Sequence, residues 1–192
     1  MNVKEMKERL IGLVSVFEEK ESELTELDRA IGDGDHGVNM VRGFKHLPDN
    51  IDDSSMQNLF KSTGMTLMSN IGGASGPLYG FSFVKMSQVV ENNIDEDNIK
   101  LLLQAFSEAI AQRGKVSLNE KTMYDVIERA NEAVNNGEKL NAEKLQSFAE
   151  ATKDIEATKG RAAYFKGDSI GFVDPGAQSS VYILSALIGD DY

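Results

Sequence analysis

Three aspartates and three glycines crowd into one short stretch of this chain, Leu27-Asp28-Arg29-Ala30-Ile31-Gly32-Asp33-Gly34-Asp35-His36-Gly37. Carboxylates at close quarters repel one another unless a cation lies between them. Glycine permits the sharp turns that aim Asp33 and Asp35 at one point, and Asp28 can reach that point from a helix end. Hard oxygen donors without any cysteine suit Mg²⁺, with phosphate oxygens and water completing its coordination. Asp28, Asp33 and Asp35 are therefore candidate metal ligands. Beside them His36 is a candidate phosphate contact, and Asn39, about one helical turn later, can face the same ligand.

Other readings of this loop fare worse. Gly32, Gly34 and Gly37 match the spacing G-x-G-x-x-G, but no hydrophobic strand precedes them, and the carboxylates would face a pyrophosphate unneutralised. A calcium loop beginning at Asp33 would need glutamate where Phe44 stands. The Walker pattern is absent from the sequence. The plain alternative is an acidic, solvated turn in which an aspartate caps the next helix. His46 reads as structural.

A second glycine-rich stretch, Gly72-Gly73-Ala74-Ser75-Gly76-Pro77, precedes a helix. Successive amides in such a loop can cradle phosphate oxygens, and the helix start adds a partial positive charge. Ser75 can add its hydroxyl. An ordinary helix cap would use the same residues. A hydrolase elbow, G-x-S-x-G, fails because Pro77 takes the place of its last glycine.

The elements that must carry these loops are read from hydrophobic spacing. Val3, Met6, Leu10, Leu13 and Phe17 recur at three and four, as one face of a helix does. So do Ile99, Leu102, Leu103, Phe106 and Ile110; Met123, Val126, Ile127, Ala130 and Val134; and Leu145, Phe148 and Ile155. Val181, Leu184 and Ile188 predict a last helix. Further helices are expected near 38–47, 55–70 and 77–90. Tyr79, Phe81 and Phe83 alternate like a strand, but an isolated strand would lack a partner, so the segment is read as helix. Pro48 is expected to end a helix, Pro77 to sit first in one, and Asp174-Pro175-Gly176 to form a turn. The expected architecture is all-α, about eight antiparallel helices with short connections and one longer loop near 158–177.

Composition bounds the rest. The 192 residues suit one domain, 1–192, and 41% hydrophobic content supports a sizeable core. With no cysteine, disulfides and thiolate chemistry are excluded, and a reducing, cytoplasmic setting fits. The net charge of −11 argues against a nucleic-acid partner; on such a chain a polyphosphate ligand needs divalent cations. The apolar stretch Leu10–Phe17 follows a basic region that Glu5 and Glu8 interrupt, is followed at once by Glu18 and Glu19, and is too short for a membrane span.

The stretches LDRAIGDGDHGVN from Leu27 and GGASGPLYG from Gly72, with GRAAY, KGD and DPGAQSS from Gly160 onward, resemble in order and spacing the nucleotide-binding L subunits of bacterial dihydroxyacetone kinases of the phosphotransferase-system type. The resemblance covers essentially the whole chain. It implies a closed barrel of eight antiparallel helices with the nucleotide at one end. It implies that Asp28, Asp33 and Asp35 hold two Mg²⁺, that His36, Gly37, Val38, Asn39, Ala74 and Ser75 lie on the phosphate side, and that Gly114 and Met123 border the adenine. It assigns Arg161 and Asp174, Pro175 and Gly176 to a closing edge. Read locally, Met123 is an ordinary core residue, Gly114 a helix C-cap and Arg161 a solvated side chain.

The activity it implies is phosphoryl transfer with ADP/ATP as a retained coenzyme. ADP would be rephosphorylated by an M subunit, and the phosphoryl group passed to dihydroxyacetone on a separate K subunit, so that this chain is one half of a composite site. Two rivals are a nucleotide-binding regulatory module and a phosphoryl-transfer subunit for another acceptor, such as a fatty acid. Helical relatives of the latter kind usually lack a residue equivalent to His36.

Overall fold

Small polar residues at the helix starts take up backbone amides that the helix itself leaves unpaired. Asn2 accepts from the Glu5 amide at 3.0 Å while Glu5 accepts from the Asn2 amide at 2.8 Å, a reciprocal capping box. Thr122 and Asp125 form another. Ser55, Asp95, Asn141 and Asp174 each accept one amide from the first turn they precede. A cap of this kind contributes about 1 kcal/mol.

The structure, a computed structural model, describes residues 1–189. In chain order the helices are α1 (Val3–Ile31), α2 (His36–Phe44), α3 (Leu47–Asn50), α4 (Met56–Asn70), α5 (Ser75–Met86), α6 (Glu96–Gly114), α7 (Met123–Asn135), α8 (Ala142–Glu150) and α9 (Pro175–Ile188). Two 3-10 segments, Ala151–Asp154 and Arg161–Ser169, lie between α8 and α9. The described residues contain no strand. Helix α1 packs on α2, α2 on α4, α4 on α5, α5 on α6, α6 on α7, and α7 on α8 and α9; α9 returns to α1 and closes the ring. The all-α expectation therefore holds, with eight longer helices and the four-residue α3 among the described residues. No described helix is long and apolar enough to cross a membrane.

Aromatic rings run through the core. Phe17 meets Phe44 at 4.5 Å between centroids, and Phe60, Phe83 and Phe106 follow at 5.7 and 6.4 Å. Tyr79 and Phe83, four residues apart on α5, both face inward; Phe81 lies half-buried on the flank under the Lys85 ammonium. The strand-like alternation is thus a helix with aromatic residues on two faces.

Several boundaries differ from expectation. Helix α1 continues well past its first apolar stripe, to Ile31, and carries Asp28 inward. Helix α2 ends at Phe44, and Pro48 lies in the first turn of α3, where its missing amide has no partner to lose. Pro77 is the third residue of α5, because the helix already starts at Ser75. Ile155 is extended, beyond the end of α8 and the 3-10 turn that follows it. Asp174-Pro175-Gly176 starts α9 instead of forming a free turn, since Asp174 caps the helix and Pro175 fits its first position. The 158–177 stretch is therefore largely 3-10 and helical.

Helices α4 and α5 meet through glycine. A Cβ on Gly64 would lie 2.6 Å from the Gly80 carbonyl, and one on Gly80 would lie 2.7 Å from the Gly64 carbonyl. Overpacking such a contact costs about 1–3 kcal/mol. Gly64→Val is accordingly expected to lower stability by about that amount in urea denaturation. An unchanged midpoint would show that the two backbones do not need this approach.

Candidate functional site

Asp28 lies in the last turn of α1 and is buried. Its Oδ2 accepts from the backbone amides of Asp35 at 2.8 Å and His36 at 3.0 Å. One side chain thus folds the loop back and caps the start of α2. Asp35 occupies the cap position of α2 but makes no side-chain cap bond. The glycines are sterically required: a Cβ on Gly32 would lie 2.1 Å from Asp28 Oδ1, one on Gly37 would lie 2.2 Å from the Glu21 carbonyl, and Gly34 has φ +74°.

Folded this way, Asp28, Asp33 and Asp35 each bring a carboxylate oxygen within 4.8 Å of the others. Arg161 Nη1 approaches Asp33 Oδ2 at 2.7 Å and neutralises only part of this charge. An all-oxygen set of clustered carboxylates at the mouth of a cavity fits a hard divalent cation.

The facing wall is the Gly72–Ala74 loop and the start of α5. Gly73 has φ +66°, and a Cβ on Gly72 would lie 2.4 Å from both Asn39 Oδ1 and Arg42 Nη2. Those two side chains are hydrogen-bonded at 2.9 Å, and Arg42 Nε also donates to the Asn70 carbonyl at 3.1 Å, which ties α2 to the end of α4. Helix α5 has no side-chain cap. The amides of its first turn and the positive end of its dipole therefore remain for an anion.

His36 bridges the walls. Its Nδ1 lies 3.5 Å from Ser75 Oγ and its Nε2 lies 2.9 Å from Ser179 Oγ. Burial pulls its pKa down from 6.5 to about 4, against the opposing pull of Asp28 and Asp35. Tyr79 sits behind it, fully buried, and burial raises its phenol far above the ordinary range.

Together these walls enclose a cavity of about 470 Å³, a size that suits a small organic ligand. One end is anionic and amide-rich. The other is lined by Leu78, Ile110, Gly114, Val116 and Met123. Arg161, Asp174, Pro175 and Gly176 form part of the rim. Every candidate metal or nucleotide contact named from the sequence lines this cavity except Gly37, which packs on α1, and Val38, whose side chain is half-exposed.

Sequence reasoning missed Arg113, Lys121 and Lys159, which also line it. Their spacing carries no motif. Lys121 is fully buried at φ +63°, and its Nζ donates to the carbonyls of Thr152 (2.6 Å), Ile155 (3.2 Å) and Phe172 (2.6 Å). Burial lowers its pKa, while Asp174 and Asp125 oppose that shift. Asp174 is also buried and accepts from the Ala177 amide at 2.7 Å. Burial pushes its carboxyl up to about 7, although the Ala177 amide and Lys121 act the other way.

Over residues 30–189 the sequence matches the DAK2 domain family. The chain belongs to that family. It is 42% identical over 175 residues to the ADP-binding subunit DhaL of the PEP-dependent dihydroxyacetone kinase 1 of Listeria innocua, covering 89% of this chain and 88% of that one. To the ADP-binding subunit DhaL of the PTS-dependent dihydroxyacetone kinase of Lactococcus lactis it is 41% identical over 175 residues, covering 90% and 89%. To the Escherichia coli counterpart it is 34% identical over 187 residues, covering 90% and 89%. The fold is that of the crystal structure of C. freundii dihydroxyacetone kinase, with a TM-score of 0.70 at 21% identity over 95% of this chain. This chain spans 33% of that enzyme's chain. The complex of that enzyme with AMP-PNP and Mg²⁺ superposes with a TM-score of 0.68.

Two of the shifted groups of this DAK2-family chain, His36 and Asp174, have opposite signs in stability. His36 stays neutral in the fold down to about pH 4 but protonates near 6.5 when unfolded, so its contribution is lost as pH falls through 6.5 to about 4. Asp174 stays protonated in the fold up to about pH 7 but ionises near 3.8 when unfolded, so its contribution is lost as pH rises through that window. In metal- and nucleotide-free protein, Asp174→Asn should therefore steepen the loss of stability on acidification below pH 6.5, and His36→Gln should lessen it. Chemical denaturation at stepped pH measures both; slopes that move together would contradict the assignment.

Proposed function

We propose that this chain is the ADP-binding subunit of a phosphoenolpyruvate-dependent dihydroxyacetone kinase. In this reading, ADP bound with two Mg²⁺ is rephosphorylated in place by a phosphotransferase-system M subunit. The phosphoryl group then passes to dihydroxyacetone held on a separate K subunit. The observation that carries the reading is the meeting, on one cavity, of the Asp28–Asp33–Asp35 cluster, the uncapped start of α5 and an apolar far end. The names of the relatives and their near-complete coverage support it.

Asp28, Asp33 and Asp35 would hold the metal. Bound Mg²⁺ supplies neutralisation of polyphosphate charge and alignment of the transferring group. The chain's own residues bind and orient. Amides of the first turn of α5, with Ser75 Oγ, offer donors to phosphate oxygens. His36, neutral because it is buried, offers a hydrogen bond and not a fixed charge. Leu78, Ile110 and Met123 give the adenine an apolar seat beside Gly114. Arg161, held on Asp33, places a cation on the cavity lining beside the aspartates.

Catalysis on this subunit is then electrostatic positioning. A nucleotide enclosed by carboxylate-bound metal, α5 and the 3-10 edge leaves slowly, since affinity resides mostly in the off-rate. Slow release suits a coenzyme recharged in place.

Two measurements test this. ADP should raise the melting temperature only with Mg²⁺ present, by linkage worth about 2.7 kcal/mol at ligand 100 times its dissociation constant. EDTA or Asp33→Ala should remove most of the effect; equal stabilisation with EDTA would show that the cluster is not the anchor. Protein preloaded with labelled ADP and turned over with K and M subunits, a phosphoenolpyruvate-driven donor and excess unlabelled ATP should keep its label through many cycles. Label lost at the rate of turnover would point instead to an enzyme that exchanges ADP for ATP.

A further inference from the structure

Behind the cavity wall three hydroxyls converge on one carbonyl. The Gly176 oxygen lies 2.8 Å from Ser180 Oγ, 3.1 Å from Ser179 Oγ and 3.1 Å from the Tyr79 hydroxyl. The Tyr79 oxygen is in turn 2.8 Å from both serine hydroxyls. All three side chains are fully buried, so water cannot relieve the crowding. A carbonyl oxygen has two lone pairs, and each hydroxyl has one proton to place. At least one of the three protons must go elsewhere.

Ser180 is the nearest to Gly176, and its other neighbour in the cluster is Tyr79. Ser179 alone of the three has an imidazole nitrogen within reach: His36 Nε2 stands at 2.9 Å, closer than the carbonyl at 3.1 Å. The other ring nitrogen, Nδ1, points to Ser75, which lines the cavity; Tyr79 and Ser179 do not line it. The carboxylates of Asp28 and Asp35 also stand on the cavity side, and an N–H directed toward that side is electrostatically favoured.

We propose that Ser179, displaced from the crowded Gly176 carbonyl by Ser180 and Tyr79, donates its hydroxyl proton to His36 Nε2 and thereby fixes the ring proton of His36 on Nδ1, the nitrogen that faces the cavity. Ser179 is then a positioning residue. It makes His36 a donor, the form that an anionic oxygen in the cavity can use. With the proton on Nε2, the lone pair of Nδ1 would instead repel that oxygen. The hydroxyl cluster sets the tautomer before any ligand arrives. The consequence for ligand binding rests on the function proposed above; the tautomer itself does not.

The test is long-range proton–nitrogen NMR of the histidine rings in full-length, ligand-free protein at neutral pH. The sequence holds two histidines, and His46→Gln, an exposed substitution, leaves His36 as the single signal. The expected pattern is a protonated Nδ1 and a bare Nε2. Ser179→Ala should abolish that preference and weaken Mg·ADP binding about tenfold, the scale of one hydrogen bond to a charged group. Ser180→Ala relieves the crowding on the same carbonyl without touching His36 and should weaken the preference for a protonated Nδ1. Ser185→Ala, elsewhere on α9 and with its hydroxyl on the Val181 carbonyl, should keep the pattern and serves as the control for altered packing of that helix. A protonated Nε2 in the parent protein, or an unchanged pattern in a folded Ser179→Ala variant, overturns the proposal. The expected pattern in a protein that binds no Mg·ADP would sustain the tautomer lock and overturn the functional reading alone.

Discussion

Burying a carboxylate obliges the chain to bring donors to it. Asp28, carried inward by the last turn of α1, meets that demand with the amides of Asp35 and His36. Those two bonds reverse the chain direction, start α2 and set His36 against α5 and α9. They also turn Asp33 and Asp35 toward Asp28, through the turns that Gly32 and Gly34 allow. The backbone permits this only because Gly32 and Gly37 carry no side chain where Asp28 and the Glu21 carbonyl must stand. The same carboxylate that shapes the loop is one of the three that crowd together, so local folding and cation affinity share one group.

The ring of helices supplies what that loop cannot. Closure of α9 onto α1 brings Ser179 to His36, although 143 positions separate them in the chain. Contact of α4 with α5 through Gly64 and Gly80 fixes where the uncapped start of α5 lies, facing the aspartates. The anionic end and the apolar end of the cavity thus come from different stretches of chain, held in register by one core.

Charge at the rim is balanced in the same way. Lys121 joins three carbonyls from the segments on either side of the 3-10 turn, and Thr152 between them accepts the Asp174 amide at 3.0 Å. Asp174 in turn caps α9. The edge that carries Arg161 is therefore anchored at its base by a buried ammonium and a buried carboxyl.

The sequence by itself determined the helical class, most helix starts and the aspartate–glycine loop, because these depend on near neighbours: a side chain and an amide three residues away, apolar spacing along one helix, a glycine next to a carboxylate. The same locality explains its errors. A proline that could end a helix or make a turn is equally at home in the first turn of the next helix, which is where Pro48 and Pro175 lie, and Pro77 stands third in α5 instead of first. Gly114, Met123, Arg161 and Asp174 carry no local signal and were reachable only through family resemblance. Lys121, Arg113 and Lys159 had no motif to mark them. The partners of Lys121 lie far along the chain, at Thr152, Ile155 and Phe172. Only tertiary structure determined which lysine would be buried, which carbonyl would be crowded and which face of His36 would meet the cavity. Those outcomes depend on how whole helices close against one another, and no short stretch of residues encodes that distance.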